Sequence, residues 1–250
     1  MQPAGALRCT ASAEPLSFLS AGLAAGRNVV LVSEIPADAA VDRLALALSP
    51  DERARAARIA APEARRAFLA GRALLAQVAA AAGLQGAGAH LHIGEHGKPR
   101  FAAQTAPFVS VSHCAGWVAV AAGVSAEIGV DVEARRPLPE IDGLSHSVMS
   151  PGERARLARA SDPVDEFLRL WTRKEAVVKA LGVGIDHRFQ QVDVSDARRV
   201  GLPCELRGPC AVADFEAAGS FVGAFCALDS TAEALVAVCA ASWADAAAVV

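Results

Sequence analysis

Apolar and polar residues alternate along Ile128-Gly129-Val130-Asp131-Val132-Glu133, with Val130 and Val132 on one side and Asp131 and Glu133 on the other. A period of two marks a strand with unlike faces. Its two carboxylates then share a face, about 6–7 Å apart. Upstream, Val29–Glu34 reads as a buried strand and Asp38–Leu48 as a helix, with Val41, Leu44, Ala45 and Leu48 on its apolar stripe. Ser49-Pro50-Asp51-Glu52 places Ser at the N-cap, Pro first in the helix and Glu third, a capping box. Pro62 opens a helix to about Ala82, stopped by Gly83. Leu91–Ile93 and the Gly97-Lys98-Pro99-Arg100-Phe101 turn follow. Phe108–Ser112 and Trp117–Ala122 read as strands joined through His113-Cys114-Ala115-Gly116. Phe167–Leu181 is helical by pattern, with Leu170, Trp171, Val177, Val178 and Leu181 available to a core. Phe189–Val194, Phe221–Leu228 and Ala234–Ala240 read as strands. Residues 1–27, rich in Ala, Gly and Ser, read as a loosely packed lead-in.

The order of elements repeats. The strand at 128–133 follows Val29–Glu34 by 99 residues, and Phe167-Leu168 and Gly182 follow Phe68-Leu69 and Gly83 by the same interval. Ser150-Pro151-Gly152-Glu153 follows the first capping box by 101 residues. The pattern predicts an α/β (α+β) chain of two similar halves, 28–125 and 126–250, related by a pseudo-duplication. The active site would lie in the cleft between them. Val32 and Ala76 would stand where the second half has Asp131 and Glu175, so the chemistry would belong to the second half.

Composition narrows the classes. With 250 residues, 53% hydrophobic and 20% charged, the chain is globular with ample core. A net charge of −3 argues against bulk nucleic-acid binding. Six scattered cysteines form no CxxC, so neither a zinc knuckle nor a disulfide scaffold is expected and a reducing compartment fits. The first residues lack a basic stretch leading into an apolar core, and no apolar run is long enough to span a bilayer. The expectation is a cytoplasmic monomer.

The acid pair carries the first chemical signal. Two carboxylates side by side on a strand repel, and a cation between them relieves this. Mg²⁺ suits oxygen ligands and is held by one or two carboxylates with substrate phosphates. A solvated edge strand bearing two acids is the alternative. In Trp171-Thr172-Arg173-Lys174-Glu175-Ala176-Val177-Val178-Lys179, Glu175 and Lys179 are four apart and share a helix face. They form either a surface ion pair or a third carboxylate with a cation for a diphosphate.

Gly129-Val130-Asp131-Val132-Glu133 followed by Trp171-Thr172-Arg173-Lys174-Glu175-Ala176-Val177-Val178-Lys179-Ala180 resembles the paired signature motifs of Sfp-type 4'-phosphopantetheinyl transferases. Ser49-Pro50, Gly97-Lys98-Pro99 and Val109-Ser110-Val111-Ser112-His113 before Trp117 add weaker likenesses in order, over residues 45 to 190. The resemblance implies transfer of the 4'-phosphopantetheine arm of coenzyme A to a serine of an apo acyl or peptidyl carrier protein, releasing adenosine 3',5'-bisphosphate. It implies Mg²⁺ on Asp131, Glu133 and Glu175, with Glu175 also the base and Lys179 at the diphosphate. It implies Ser112 and His113 at the CoA 3'-phosphate, and Lys98 and Arg55 around the nucleotide. Glu52 departs from the pattern where a relative carries a lysine, which shifts that grip to Arg53 or Arg55. The carrier would dock near Pro137–Ser150. The competing readings are a non-catalytic relative that binds CoA or the carrier, and a Mg²⁺-dependent nuclease, which would need a broad basic groove.

Overall fold

In the computed structural model, which describes residues 7–12, 14–35, 44, 48–186, 188–197, 199–206, 208–217, 219–228 and 231–239, the chain is a mixed α+β fold. Strand β1 (Cys9–Ser12) and helix α1 (Pro15–Ala24) precede β2 (Asn28–Glu34). Helices α2 (Pro50–Ala57) and α3 (Pro62–Ala81) follow, then strands β3 (Leu91–Ile93) and β4 (Pro99–Phe101) and the hairpin of β5 (Phe108–Cys114) and β6 (Trp117–Gly123). The remainder runs β7 (Ile128–Ala134), α4 (Ile141–Val148), α5 (Pro151–Leu157), α6 (Pro163–Leu181), β8 (Ala211–Ala217), β9 (Phe221–Ala227) and β10 (Ala234–Cys239).

Strand alternation builds the layers. One sheet has the order β1-β10-β2-β6-β5 and another the order β7-β9-β8. On β2, Val29 and Leu31 pack with Leu69, Leu75 and Val78 of α3. Val30 and Val32 face the other way, against Ile128, Val130 and Val132 of β7 and Phe215, Phe221 and Phe225. Beyond the second sheet, Val222, Ala224 and Cys226 pack with Ala176, Val177 and Ala180 of α6. Helices, sheet, sheet and helix thus stack in four layers.

Several expectations change on contact with this architecture. The lead-in is ordered where described: β1 pairs with β10, and α1 buries Leu19 against β2. The last strand, placed above in the second half, returns to the first sheet and runs parallel to β2, with Leu235 opposite Val29. Phe189–Val194 is not a strand. Phe189–Gln191 makes a 3₁₀ turn, because Phe189 turns inward onto Trp171, and Asp193 makes a lone bridge to Gly201. The capping box at Ser150 is complete, but at Ser49 only the serine half forms, since Glu52 pairs with Arg72 at 3.1 Å. The helix at 38–48 falls almost wholly outside the described residues. At the 99-residue offset, Leu31 faces its helix whereas Val130 faces the other sheet, so Val32 and Asp131 do not share an orientation.

Helix α6 is the most heavily specified element. Asp162 caps it by accepting from Val164 and Asp165 amides, Pro163 starts it, and Gly182 ends it with φ 71°. Strand β7 crosses it at Gly129, where an added Cβ would lie 2.6 Å from the Ala180 nitrogen and closer still to the Ala176 carbonyl oxygen. One turn up, Lys174 is fully buried with Glu153, its ammonium donating at 3.0 and 3.3 Å to the carboxylate and also to the Val192 carbonyl. Glu153 accepts in addition from the Ser150 and Val194 amides, at 2.7 and 2.9 Å. Arg173 holds Asp214 of β8 through two parallel bonds of 2.7 and 2.5 Å.

Two stability predictions follow from these contacts. Gly129→Ala must push strand and helix backbones apart, and chemical denaturation should show a loss of about 1–3 kcal/mol or more. Lys174→Ala strands a buried carboxylate, for which denaturation should show about 3–5 kcal/mol. Near-wild-type stability in either variant would contradict the corresponding contact.

Candidate functional site

The site forms where the edge strands of the two sheets meet under α6. Ser110 on β5 accepts from the Val130 amide at 3.1 Å, which fixes β5 beside β7. Two residues on, Ser112 donates to Asp131 Oδ1 at 2.6 Å. From above, the Lys179 ammonium reaches the same oxygen at 2.7 Å and Ser112 Oγ at 2.9 Å. Val130 and Val132 face the inter-sheet core, so Asp131 and Glu133 take the face toward α6, as the alternation requires.

The electrostatics are those of crowded acids. Burial pushes the Glu175 carboxyl up to about 7; Lys179 opposes this, and the charges of Asp131 and Glu133 add to it. Glu133 is raised by burial and by Asp131, against the pull of Arg136, Lys179 and the Trp171 indole. Asp131 is 4% exposed, and its Oδ2 is buried without a hydrogen-bond partner. An unsatisfied carboxylate oxygen facing two further acids is costly to leave bare. Among the described residues, no three side chains stand ready-made as a metal cage. Even so, this donor set of oxygens with one bare oxygen fits a hard divalent ion.

A cleft of ≈ 190 Å³ opens beside these groups, with Lys98, Ser110, Glu175, Lys179 and Ile185 in its wall. Lys98 lines it, but the ammonium is committed to the carbonyls of Ile128 and Ala180, at 3.1 and 2.8 Å, and to Glu127 at 2.8 Å. It ties the end of α6 to the start of β7. His113 is exposed on the strand, one residue past Ser112 and so on the opposite face of β5. Although the residue reaches solvent, partial desolvation of its ring against the strand and the nearby Lys179 lower its pKa, against the pull of Asp131. Arg55 lies over the Phe68 ring at 5.7 Å, with Arg72 on the same ring at 4.8 Å, and is not among the described residues of the cleft wall. Arg53 donates to the Leu48 carbonyl.

The structure thus gathers Asp131, Glu133, Glu175, Lys179 and Ser112, sets Lys98 at the cleft wall, and holds Arg55 over the Phe68 ring. Pattern alone assigns no part to Ser110, Lys174 or Arg173. Lys174 did carry a signal: it stands on the stripe of Leu170, Val177, Val178 and Leu181, where a lysine needs a buried partner.

Comparison with known proteins points the same way. Residues 127–226 match the model of the 4'-phosphopantetheinyl transferase superfamily. A 4'-phosphopantetheinyl transferase of Bacillus subtilis is 31% identical over 193 residues, 74% of this chain and 84% of its own length. The 4'-phosphopantetheinyl transferase HetI of Nostoc sp. is 33% identical over 159 residues, 61% of this chain and 66% of its own. AcpT of Escherichia coli O157:H7 is 35% identical over 120 residues, 47% of this chain and 58% of its own. The aligned stretch is therefore less than two thirds of the AcpT length. The matched region contains the acid strand, α6 and the ion pairs that orient it, and with the long Bacillus alignment this shows that the chain belongs to the 4'-phosphopantetheinyl transferase superfamily.

Proposed function

We propose that the chain moves the 4'-phosphopantetheine arm of coenzyme A onto a serine of an apo acyl or peptidyl carrier protein, with adenosine 3',5'-bisphosphate leaving. The observation that carries the reading is the bare, buried Oδ2 of Asp131 beside Glu133, Glu175 and Lys179. Asp131, Glu133 and Glu175 would hold Mg²⁺, which when bound supplies charge stabilisation at the diphosphate. Glu175 accepts the carrier serine's proton; in the metal-free protein burial already raises its carboxyl to about 7. Lys179 projects from the same helix face one turn on and offers a cation to the diphosphate. Ser112 holds Asp131 in place from below, and Ser112 and His113, which emerge on opposite faces of β5, would serve the 3'-phosphate of the nucleotide only where it reaches around the end of that strand. Lys98 would shape the nucleotide end of the cleft by fixing its backbone, and Arg55, held over Phe68, would add a cation around the nucleotide. The carrier would approach over Pro137–Ser150, and the protein would act as a cytoplasmic monomer. No helix among the described residues is long and apolar enough to cross a membrane.

A non-catalytic relative would not need the full set of Asp131, Glu133, Glu175 and Lys179. A nuclease would need a basic groove, which a net charge of −3 does not favour.

Intact mass spectrometry of apo-carriers incubated with CoA, Mg²⁺ and this protein should show one phosphopantetheine added per carrier. Asp131→Ala should abolish most of that addition while circular dichroism stays native. CoA binding without modification of any carrier would select the non-catalytic reading. Glu175→Gln keeps size but removes basicity, and turnover at saturating Mg²⁺ should fall about 10²–10⁴-fold with CoA binding little changed. Recovery of most of the rate at high Mg²⁺ would instead make Glu175 chiefly a metal ligand.

The same variant has a pH signature without metal. The folded Glu175 carboxyl titrates at about 7, above its ordinary 4.5, so the folded state keeps the proton longer. Its stabilising share is full below 4.5 and is lost as pH rises through about 7. Glu175→Gln should make the metal-free stability curve shallower over that window, with Glu133 leaving a smaller slope of the same sign. Parallel curves for the two proteins would refute the raised carboxyl.

A further inference from the structure

The strand that carries the acids lies at the edge of its sheet. Among the described residues, β7 has β9 on one side and no ladder partner on the other, and β5 is likewise the last strand of its own sheet. Alternate residues of an edge strand turn their amides and carbonyls away from the sheet, where they need partners from elsewhere. Val130 is one of these, and a side chain meets its amide: Ser110 Oγ accepts from it at 3.1 Å. Two residues earlier, the Ile128 carbonyl is met by Lys98. Side chains thus stand where a further strand would. We propose that Ser110 is a positioning residue, which sets the place of Asp131 and Glu133 by holding the edge of β7.

The surroundings of Ser110 are otherwise apolar. Its cross-strand neighbour is Ala121, and that of Ser112 is Ala119; both alanines belong to the layer packed between the two sheets. Ser110 is 2% exposed, so its hydroxyl pays for desolvation unless it bonds, and the Val130 amide supplies that bond. The contact works in both directions. Without Ser110 Oγ, the Val130 amide is left in the same layer with no acceptor.

Alternation along β5 gives the two serines a joint effect. Ser110 and Ser112 share a face, while Val111 between them packs on the α3 side. Ser110 holds the main chain at Val130, and Ser112 holds the side chain of the next residue, donating to Asp131 Oδ1 at 2.6 Å. One strand therefore fixes both the backbone that carries the acid and the direction of its carboxylate. A shift of β7 away from β5 would move Asp131 and Glu133 together relative to Glu175 and Lys179 on α6. The functional side of this role rests on the metal-dependent transfer proposed above; the amide contact does not.

The test compares the full chain with Ser110→Ala, which removes the acceptor, and Ser110→Thr, which keeps it. Amide hydrogen exchange followed by NMR should show Val130 protected in the wild type and exchanging roughly tenfold faster or more in Ser110→Ala, with α3 amides unchanged. Mn²⁺ binding without CoA, followed by electron paramagnetic resonance, should weaken about 5–30-fold in Ser110→Ala. In the carrier assay kcat should fall about 10–10²-fold while KM for CoA stays within about twofold. Ser110→Thr should restore all three readouts. Ser110→Cys, a weak acceptor of similar shape, repeats the comparison should Ser110→Ala fold poorly. Rapid exchange of Val130 in the wild type, unchanged Mn²⁺ affinity and kcat in Ser110→Ala, a rise in KM alone, or no rescue by threonine would overturn the proposal. A wild-type protein that binds Mn²⁺ with the expected Ser110 dependence yet modifies no carrier would refute the transferase reading and leave Ser110 in its role. Failure of the wild type to bind Mn²⁺ at all would remove the metal-dependent reading and this role with it.

Discussion

Strand β7 and helix α6 touch backbone to backbone at Gly129, and the site depends on that closeness. With no side chain between them, the strand lies under Ala176 and Ala180. Asp131 and Glu133 then emerge two and four positions along, beneath Glu175 and Lys179. Any larger residue would lift the helix and open the distance between the acids on the two elements. Lys98 secures the same junction from its end, bonding a carbonyl of each element with one ammonium. A close-packed interior transmits such a displacement rather than absorbing it.

Rotation of α6 is set separately, by buried charge. Successive residues on a helix are turned by about 100°. Holding Lys174 inward on Glu153 therefore swings Glu175 out to the cleft. Arg173 is held to Asp214, and Arg169 joins Arg135, Asp165 and Glu216 in a partly exposed network along the same helix. Buried ion pairs are poor sources of stability because desolvation offsets much of their attraction. Here their geometric effect is the larger one. Apolar side chains of equal volume would tolerate small rotations of the helix, whereas the bidentate Arg173 pair and the three-acceptor Lys174 site do not.

Much of this was legible in the residues, for identifiable reasons. The acids of β7 announce themselves because a half-buried strand must alternate, and α6 because its caps and stripe agree. The β5–β6 hairpin was also readable, with Gly116 at φ 82° in its turn. Long-range pairing was not. Nothing local in Ala234–Cys239 says that it joins a sheet begun two hundred residues earlier, and nothing local in Cys9–Ser12 says that it pairs with that strand. Phe189–Val194 misled because an apolar run fits a strand or an inward-turning loop equally well. Basic residues were the least legible part of the site. Lys98 and Arg55 look alike as solvated cations in sequence, yet one is consumed by carbonyls and the other rests on an aromatic ring.

The parallel seam of β1, β10 and β2 has a consequence for how the protein is made. Translation delivers β2 early, but its neighbour β10 only after the acid strand, α6 and the second sheet have left the ribosome. The first sheet therefore cannot close as an independent unit during synthesis. Its unpaired edge must wait through most of the chain, which exposes it to wrong partners. Contacts so distant in sequence make folding slow. Shielding of the nascent chain by chaperones would thus matter most in the interval between emergence of β2 and of β10.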